Sequence, residues 1–249
     1  MKFINVKSPD ELFSLQEKFS AYPKVQSKNA IPFKELKPEI KWRAYYQKQN
    51  ASRFNNLVPF SNFGKVVRGI ATGSNEYFTF NHSKAIRFQI GEKYLLPCIT
   101  KSADVEGAFF TKQDFETLKQ RDKNVYLLNA IEPKEPLVKK YIDMGETEKV
   151  HEKFLTASHN PWYSLENRPP SPIWVSVFNR NGLRFIRNEA NISNLTTFHC
   201  IYLNMFSMQK VDLLFAYLLT DISKDIFNDN RREYGNGLQK FEPNDINKQ

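Results

Sequence analysis

The second half of the chain carries three apolar β-type segments in close succession, and they constrain the fold more than any other feature. They read "PIWVSVF", "LRFIRNEA" and "TTFHCIYL", with turn residues between them. Upstream, "GKVVRGIATGSNEYFTF" predicts two further strands around a turn, with Gly69 and Gly73 at the bends. Helical patterns such as "TKQDFETLKQR" are interspersed without the regular alternation of a doubly wound sheet. We therefore predict an α+β fold that is twisted and strand-rich at its centre, with flanking helices.

Helical patterns also mark both ends of the chain. The segment "SPDELFSLQEKFSAY" predicts an amphipathic helix capped by Ser8, followed by a proline-bearing connector. Near the other end, "MQKVDLLFAYLLTDISKDIFNDNRREY" predicts one long C-terminal helix that ends at Gly235 in a left-handed cap. A helix with a break near Gly145 is expected between them. We predict two domains, residues 1–54 as N-terminal helix and linker and residues 55–249 as the main domain.

The charge balance favours a polyanionic partner. The 249 residues contain 36 Lys and Arg against 27 Asp and Glu, a net charge of +9, which suits nucleic acid before a membrane surface. The start, "MKFINVKSPDEL", lacks the apolar core of a signal peptide, and no apolar run is long enough to span a bilayer. The two cysteines lie in apolar surroundings. They indicate buried thiols in a reducing cytoplasm.

Catalytic motifs are weak in this sequence. The residues Asp10, Glu39 and Lys41 give a loose nuclease-like pattern that would hold Mg²⁺. The stretch "NPWY" at 160–163 resembles a base-gripping methyltransferase motif, but no glycine-rich cofactor loop accompanies it. We therefore expect structural aromatics at "NPWY", and in this chain no catalytic residue, no metal site and no cofactor. A Mg²⁺-dependent restriction-type nuclease and a non-catalytic protein-assembly module remain as alternatives.

Glycine- and arginine-bearing turns are the stronger functional signal. The stretch "VVRGIATGSNEYF" combines small residues, which let backbone N–H groups approach phosphates, with side chains that donate to phosphates or base edges. The stretch "RNGLRFIRNEANISNLTTF" adds further arginines, asparagines and threonines. The alternative is that both are polar loops on a solvent-exposed face.

Seven segments occur in the order found in one family. They read "VVRGIATGSNEYF", "GEKYLLPCITK", "NVYLLNA", "YIDMGE", "HNPWYSL", "RFIRNEANISNLTTFHCIYLN" and "RREYGNGLQKFEP". In these the chain resembles the C-terminal specificity half of TaqI- and Eco57I-like N6-adenine DNA methyltransferases of restriction–modification systems. The resemblance covers roughly residues 55–246, and Asn236 stands where the family usually has the middle glycine of Tyr-Gly-Gly-Gly.

This resemblance implies a target-recognition domain that reads double-stranded DNA for an adenine-N6 methyltransferase without catalysing the reaction. The catalytic domain, fused or separate, would carry S-adenosylmethionine. The setting would be the cytoplasm of a bacterium or archaeon, in association with the nucleoid. The sequence leaves open whether the chain is a fragment or a separate specificity subunit.

The predicted DNA-binding residues fall into four classes. For base edges or phosphates we expect Arg68, Arg184 and Arg187. For phosphates we expect Lys65, Lys101, Arg231, Arg232 and Lys240. The polar side chains expected to read the DNA are those of Thr72, Ser74, Asn75, Asn188, Asn191 and Asn194. The turns expected to approach the DNA backbone contain Gly69, Gly73, Tyr234, Gly235 and Gly237. The Gly235–Gly237 turn could equally serve to pack the tail of the chain.

Overall fold

The computed structural model describes residues 8–13, 15–16, 31–38, 45, 56–180, 182–229 and 231–247. The chain divides into two compact units, Met1–Arg53 and Phe54–Gln249. In the first unit, helix α1 spans Asp10–Phe13 and a 3-10 turn spans Phe33–Glu35. The rest of the predicted N-terminal helix lies largely outside the described residues. Within the part of the chain that is described, no helix has the length and apolarity needed to cross a membrane.

The described residues of the second unit form three sheets. Its strands are β1 (Gly64–Arg68), β2 (Thr79–Phe80), β3 (Leu95–Ile99), β4 (Phe109–Phe110), β5 (Tyr126–Leu128), β6 (Ile173–Ser176), β7 (Phe178–Asn179), β8 (Phe185–Asn188), β9 (Ser193–Asn194), β10 (Phe198–Leu203), β11 (Arg232–Glu233) and β12 (Gln239–Lys240). The order is β1-β10-β6-β8-β4 in a five-stranded sheet, β2-β5-β3-β9 in a four-stranded sheet and β11-β12-β7 in a three-stranded sheet.

Helices flank these sheets. They are α2 (Asn75–Phe78), α3 (His82–Phe88), α4 (Lys112–Gln120), α5 (Pro136–Thr147), α6 (Met205–Met208), α7 (Val211–Leu218), α8 (Asp221–Asn228) and α9 (Pro243–Asn247). Strands and helices do not alternate regularly along the chain, and both parallel and antiparallel pairs occur. The predicted α+β class is confirmed.

Alternate residues of the five-stranded sheet enter two different cores, as the period of a strand requires. On one face Ile173 and Val175 are fully buried in one hydrophobic cluster. On the other face Trp174, Ile186 and Phe198 are fully buried in a second cluster. The rings of Trp174 and Phe198 stack with centroids 5.6 Å apart. Because both faces are covered, the polar groups at the ends of the strands are the ones left to meet solvent.

The predicted single C-terminal helix is wrong. This region contains the last residue of α6 and two short helices, α7 and α8, and the chain then enters β11. Thr220 explains the last break, because its backbone is extended (φ −71°, ψ 157°) and its hydroxyl accepts a hydrogen bond from the Ser223 N–H. A threonine in that conformation caps the following helix and cannot continue the preceding one.

The predicted break near Gly145 is confirmed to within a few residues, because α5 continues through Gly145 but ends at Thr147, and a separate 3-10 turn begins at Val150. A Cβ at position 145 would lie 2.6 Å from the Trp162 ring and 2.7 Å from the Tyr77 ring. Glycine therefore lets two aromatic rings pack directly against the helix. Trp162 belongs to the "NPWY" stretch, and its Nε1–H donates to Glu146 at 3.1 Å, which supports the structural interpretation of that stretch.

Gly235 does not end a helix, contrary to the sequence prediction. Residues Gly235–Gly237 form a 3-10 turn between β11 and β12. The left-handed residues of this turn are Asn236 (φ 62°) and Gly237 (φ 69°). Asparagine tolerates this conformation better than other residues with a Cβ, so the turn survives without a middle glycine.

Candidate nucleic-acid interface

Three chain segments end side by side beyond Ile70, Leu195 and Ile99. Ile70 pairs with Leu195 in a parallel bridge, and β3 pairs with β9 in parallel. The Leu195 N–H donates to the Ile99 carbonyl at 2.9 Å. Parallel segments point the same way, so the residues that follow them emerge at one edge. This edge brings together five predicted residues from two distant stretches: Thr72, Gly73, Ser74, Asn75 and Lys101.

The same edge adjoins one end of the five-stranded sheet. The antiparallel register pairs Arg68 with His199 and Phe198 with Ser176, and the Ser176 N–H bonds to the Arg184 carbonyl. The end of β1, the start of β10, the end of β6 and the start of β8 therefore coincide. We call this the loop end of the sheet, and the opposite end, from which β10 leads into α6, the helix end.

The turn at 72–75 is held by its own side chains. The Thr72 hydroxyl donates to the Asn75 Oδ1 at 2.6 Å and accepts from the Ser74 N–H at 3.1 Å. Thr72 and Ser74 are buried, whereas Gly73 (φ 73°) and Asn75 are exposed. Thr72 and Ser74 thus shape the turn, and Asn75 is presented to solvent.

Sequence reasoning missed one cation at this turn. The Nζ of Lys153 donates to the Ser74 hydroxyl at 2.8 Å, although 79 positions separate the two residues along the chain. No local motif could reveal this neighbour, since only the packing of the segment after α5 brings it to the turn. Lys153 adds positive charge beside the exposed Asn75.

The two arginines at the loop end differ in how far their side chains are exposed to solvent. Arg68 is exposed at the end of β1. Arg184 is half-buried, its Nη2 donates to the Val105 carbonyl at 2.6 Å, and desolvation lowers the pKa of its guanidinium. Arg184 therefore braces the loop that follows Lys101, whereas the Arg68 side chain can reach outwards.

The β11–β12 hairpin extends beyond the loop end. Strand β12 pairs with β7, which continues from β6, and the Phe241 N–H donates to the Val177 carbonyl at 3.0 Å. Its three cations each pair with a nearby carboxylate: Arg231 with Glu233 at 2.7 Å, Arg232 with Asp245 at 3.7 Å, and Lys240 with Glu242 at 2.7 Å. Tyr234, Gly235 and Gly237 are exposed at the hairpin tip, so the tip is open to solvent.

Four predicted residues lie away from the loop end. Lys65 lies in the first half of β1, Arg187 and Asn188 end β8, and Asn191 follows them. The Nε of Arg187 donates to Asp212 at 2.9 Å, and its Nη1 donates to the Pro172 carbonyl at 2.9 Å. Sequence reasoning grouped these residues with Arg68, but β8 separates Arg187 from Arg184 by its own length.

Gly69 and Asn194 are buried between the sheets, and Asn188 is buried at the helix end. A Cβ at Gly69 would clash with the Leu195 carbonyl oxygen, so the glycine serves a close backbone approach. The amide of Asn194 donates to the Leu195 and Phe198 carbonyls. The amide of Asn188 donates to the Ser171 and Ile192 carbonyls. The glycine and the two asparagine side chains therefore stabilise the fold, and we remove Gly69, Asn188 and Asn194 from the candidate interface.

The described residues give little support to a nuclease site or a metal site. Asp10 opens α1, while Glu39 and Lys41 lie outside the residues that the structure describes. Nowhere in the described ranges do three or more His, Cys, Asp or Glu side chains cluster as metal ligands. Cys98 and Cys200 are buried free thiols, as predicted, and desolvation raises the pKa of both.

The family of the C-terminal domain of type II methyltransferase M.Eco57I matches residues 41–249. The chain belongs to this family. The resemblance noted from the seven sequence segments is thereby confirmed. The match begins within the first compact unit and includes every residue of the loop end and of the β11–β12 hairpin.

Two curated relatives are type II methyltransferases. M.AccI from Acinetobacter calcoaceticus is 61% identical over 251 residues, which cover all of this chain and 46% of that protein, in its C-terminal part. M.XamI from Xanthomonas campestris pv. amaranthicola is 21% identical over 218 residues, covering 87% of this chain and 40% of that protein. The chain thus spans less than half the length of these relatives.

One solved structure is similar in part. The type IIG restriction endonuclease BpuSI superposes with a TM-score of 0.49 at 14% sequence identity. The superposition covers 83% of this chain and 26% of BpuSI.

Proposed function

We propose that this domain recognises a specific double-stranded DNA sequence for an adenine-N6 methyltransferase of a restriction–modification system. The observation that carries the proposal is the convergence of exposed polar and cationic residues at the loop end. Arg68 and Asn75 come from one stretch of the chain and Lys101 from another, and the β11–β12 hairpin extends from the same end. Membership of a methyltransferase C-terminal domain family and the net charge of +9 agree with this role.

The exposed residues divide by what they can contact. Arg68 suits the O6 and N7 of a guanine, where a bidentate contact contributes about 1–3 kcal/mol of discrimination. Lys101 and Arg232 suit phosphates, which add affinity but carry no sequence information. Asn75 can read an adenine edge, and Tyr234 presents an aromatic ring at the hairpin tip. Thr72, Ser74 and Arg184 support these residues from within.

The full reaction needs groups that this domain does not supply by itself. We propose that a catalytic domain, in the position of the remaining length of M.AccI, binds S-adenosylmethionine and transfers the methyl group to adenine N6. The domain described here would contribute the orientation of the DNA. We place this activity in the bacterial cytoplasm, at the nucleoid.

Titration of the chain with duplex DNA tests the proposal. A duplex pool selected for binding should yield a preferred sequence, bound at least about 1,000-fold more tightly than a scrambled duplex. Affinity should fall steeply between 50 and 200 mM salt, since several phosphate contacts release counterions. Equal affinity for selected and scrambled duplexes, or no binding at 50 mM salt, would refute the proposal.

A further inference from the structure

Helix α7 is apolar on both of its faces. Phe215 and Leu218 are buried in the hydrophobic cluster beneath the helix, with Leu214 packed against them. On the opposite face Leu213 is 70% exposed, and Ala216 is also exposed. The outer face also carries Asp212, but a helix with apolar side chains on both faces is normally covered on both sides. Here the described residues cover one side only.

The neighbouring helix α8 shows what a solvent-facing helix of this protein looks like. Its inner face buries Ile226 and Phe227, while Asp221 and Lys224 are exposed on its outer face. This is the ordinary amphipathic pattern. The composition of the outer face of α7 is therefore a local feature, not a property of all the surface helices.

Helix α6 extends the exposed apolar face. Met205 is 75% exposed, Phe206 is 77% exposed, and Met208 is also exposed. Between positions 205 and 220 the chain contains only two charged residues, Lys210 and Asp212. Asp212 pairs with Arg187. Contiguous exposed apolar surface of this kind marks a protein–protein contact. We call Met205, Phe206, Met208, Leu213 and Ala216 the apolar patch.

The apolar patch lies away from the proposed DNA surface. Helix α6 follows directly on Leu203, at the helix end of the five-stranded sheet. The Asn204 side chain donates to the Asn62 carbonyl at 2.7 Å, which fixes the start of α6 beside the segment that leads into β1. Arg68 and Arg184 lie at the other end of that sheet, so a partner on the patch would leave the loop end open.

We propose that the apolar patch is the docking surface for the catalytic part of the methyltransferase. This inference rests on the proposed function. M.AccI matches this chain at 61% identity, and the chain corresponds to its C-terminal 46%. More than half of that protein therefore remains to cover surface on this domain. The partner surface should be apolar and poor in charge, because positions 205–220 carry only two charged residues, Lys210 and Asp212, and Asp212 is already paired with Arg187.

Side-chain footprinting tests this assignment directly. The chain replaces the matching C-terminal segment of M.AccI, and hydroxyl-radical oxidation of this chimera is compared with that of the isolated chain by mass spectrometry. Oxidation of Met205 and Phe206 should be at least fivefold slower in the chimera. The internal control is Phe178, an exposed ring at the loop end, whose oxidation rate should not change.

A second measurement uses the two parts in trans, so that it does not depend on the chimera. The chain carrying both Phe206→Ser and Leu213→Ser should bind the separate N-terminal part of M.AccI at least tenfold more weakly than the unaltered chain. The matched control is Ile86→Ser, which alters an exposed apolar side chain on α3 and should leave the affinity unchanged.

The outcomes separate the proposals. Equal oxidation rates in chimera and isolated chain overturn the docking surface, as does unchanged affinity of the double variant. Protection of Met205 that grows with the concentration of the isolated chain also overturns it, because a second copy would then be the occupant. Duplex binding by the isolated double variant is measured separately, and its loss or retention bears on the proposed function alone.

Discussion

Gly69 lies directly against the side chain of Asn194. A Cβ at position 69 would approach the Nδ2 of Asn194 to 2.6 Å and the Leu195 carbonyl oxygen more closely still. The Asn194 amide is itself tied to the Leu195 and Phe198 carbonyls. The two residues thus form the tight junction through which the chain passes from the five-stranded to the four-stranded sheet.

We expect Gly69→Ala to lower the free energy of unfolding by about 1–3 kcal/mol, because a methyl group would be forced into a packed junction. Urea denaturation measures the change. The matched control is Gly235→Ala, since a Cβ there meets nothing within 4 Å, and its effect should stay within about 0.5 kcal/mol. Equal stability of the two variants would contradict the structural role of Gly69.

Arg68→Ala should reduce discrimination at one base position by about 1–3 kcal/mol, because an exposed arginine at the loop end can donate two hydrogen bonds to guanine. Binding to a panel of single-substitution duplexes measures this. Lys101→Ala is the comparison, and should weaken binding to all duplexes alike while reducing the salt slope by about one. If Arg68→Ala also lowers all affinities equally, Arg68 contacts phosphate.

Removing the two partners of the Arg187–Asp212 pair should have unequal effects. Arg187 also donates to the Pro172 carbonyl, so Arg187→Ala should cost about 1–3 kcal/mol of stability, because it removes this part-buried, charge-assisted hydrogen bond as well as the ion pair. Asp212→Asn removes only an exposed ion pair and should cost at most about 1 kcal/mol. Chemical denaturation of both variants decides, and a larger loss in Asp212→Asn would oppose this assignment. Neither change should alter base discrimination.

Stability should fall as pH drops below about 6.5, because burial lowers the pKa of His199. The hydrogen bond of its Nε2 to the Phe241 carbonyl at 2.8 Å favours the protonated ring, as do Glu242 and Asp245, but burial outweighs them. The unfolded chain then binds the proton more readily than the folded chain, so protonation favours unfolding.

Urea midpoints between pH 7.5 and 5.0 measure this slope, which for one proton is at most about 1.4 kcal/mol per pH unit. His199→Gln should flatten it over that range. An unchanged slope in the variant would assign the pH dependence to other groups.

The sequence by itself determined the α+β class, the buried thiols and the ability of Asn236 to take a left-handed turn. These follow from local pattern: the period of apolar residues, the surroundings of each cysteine and the intrinsic backbone freedom of asparagine. It also determined the family, because that depends on the order of the segments along the chain.

Only the tertiary structure decided which polar residues are available to a partner. Asn194 and Asn75 look alike in sequence, yet one satisfies carbonyls inside the protein and the other is exposed. Likewise Arg184 and Arg187 are three positions apart, but β8 carries them to opposite ends of a sheet. A local pattern cannot specify this, because the pairing of distant strands sets both the register and the burial of each side chain.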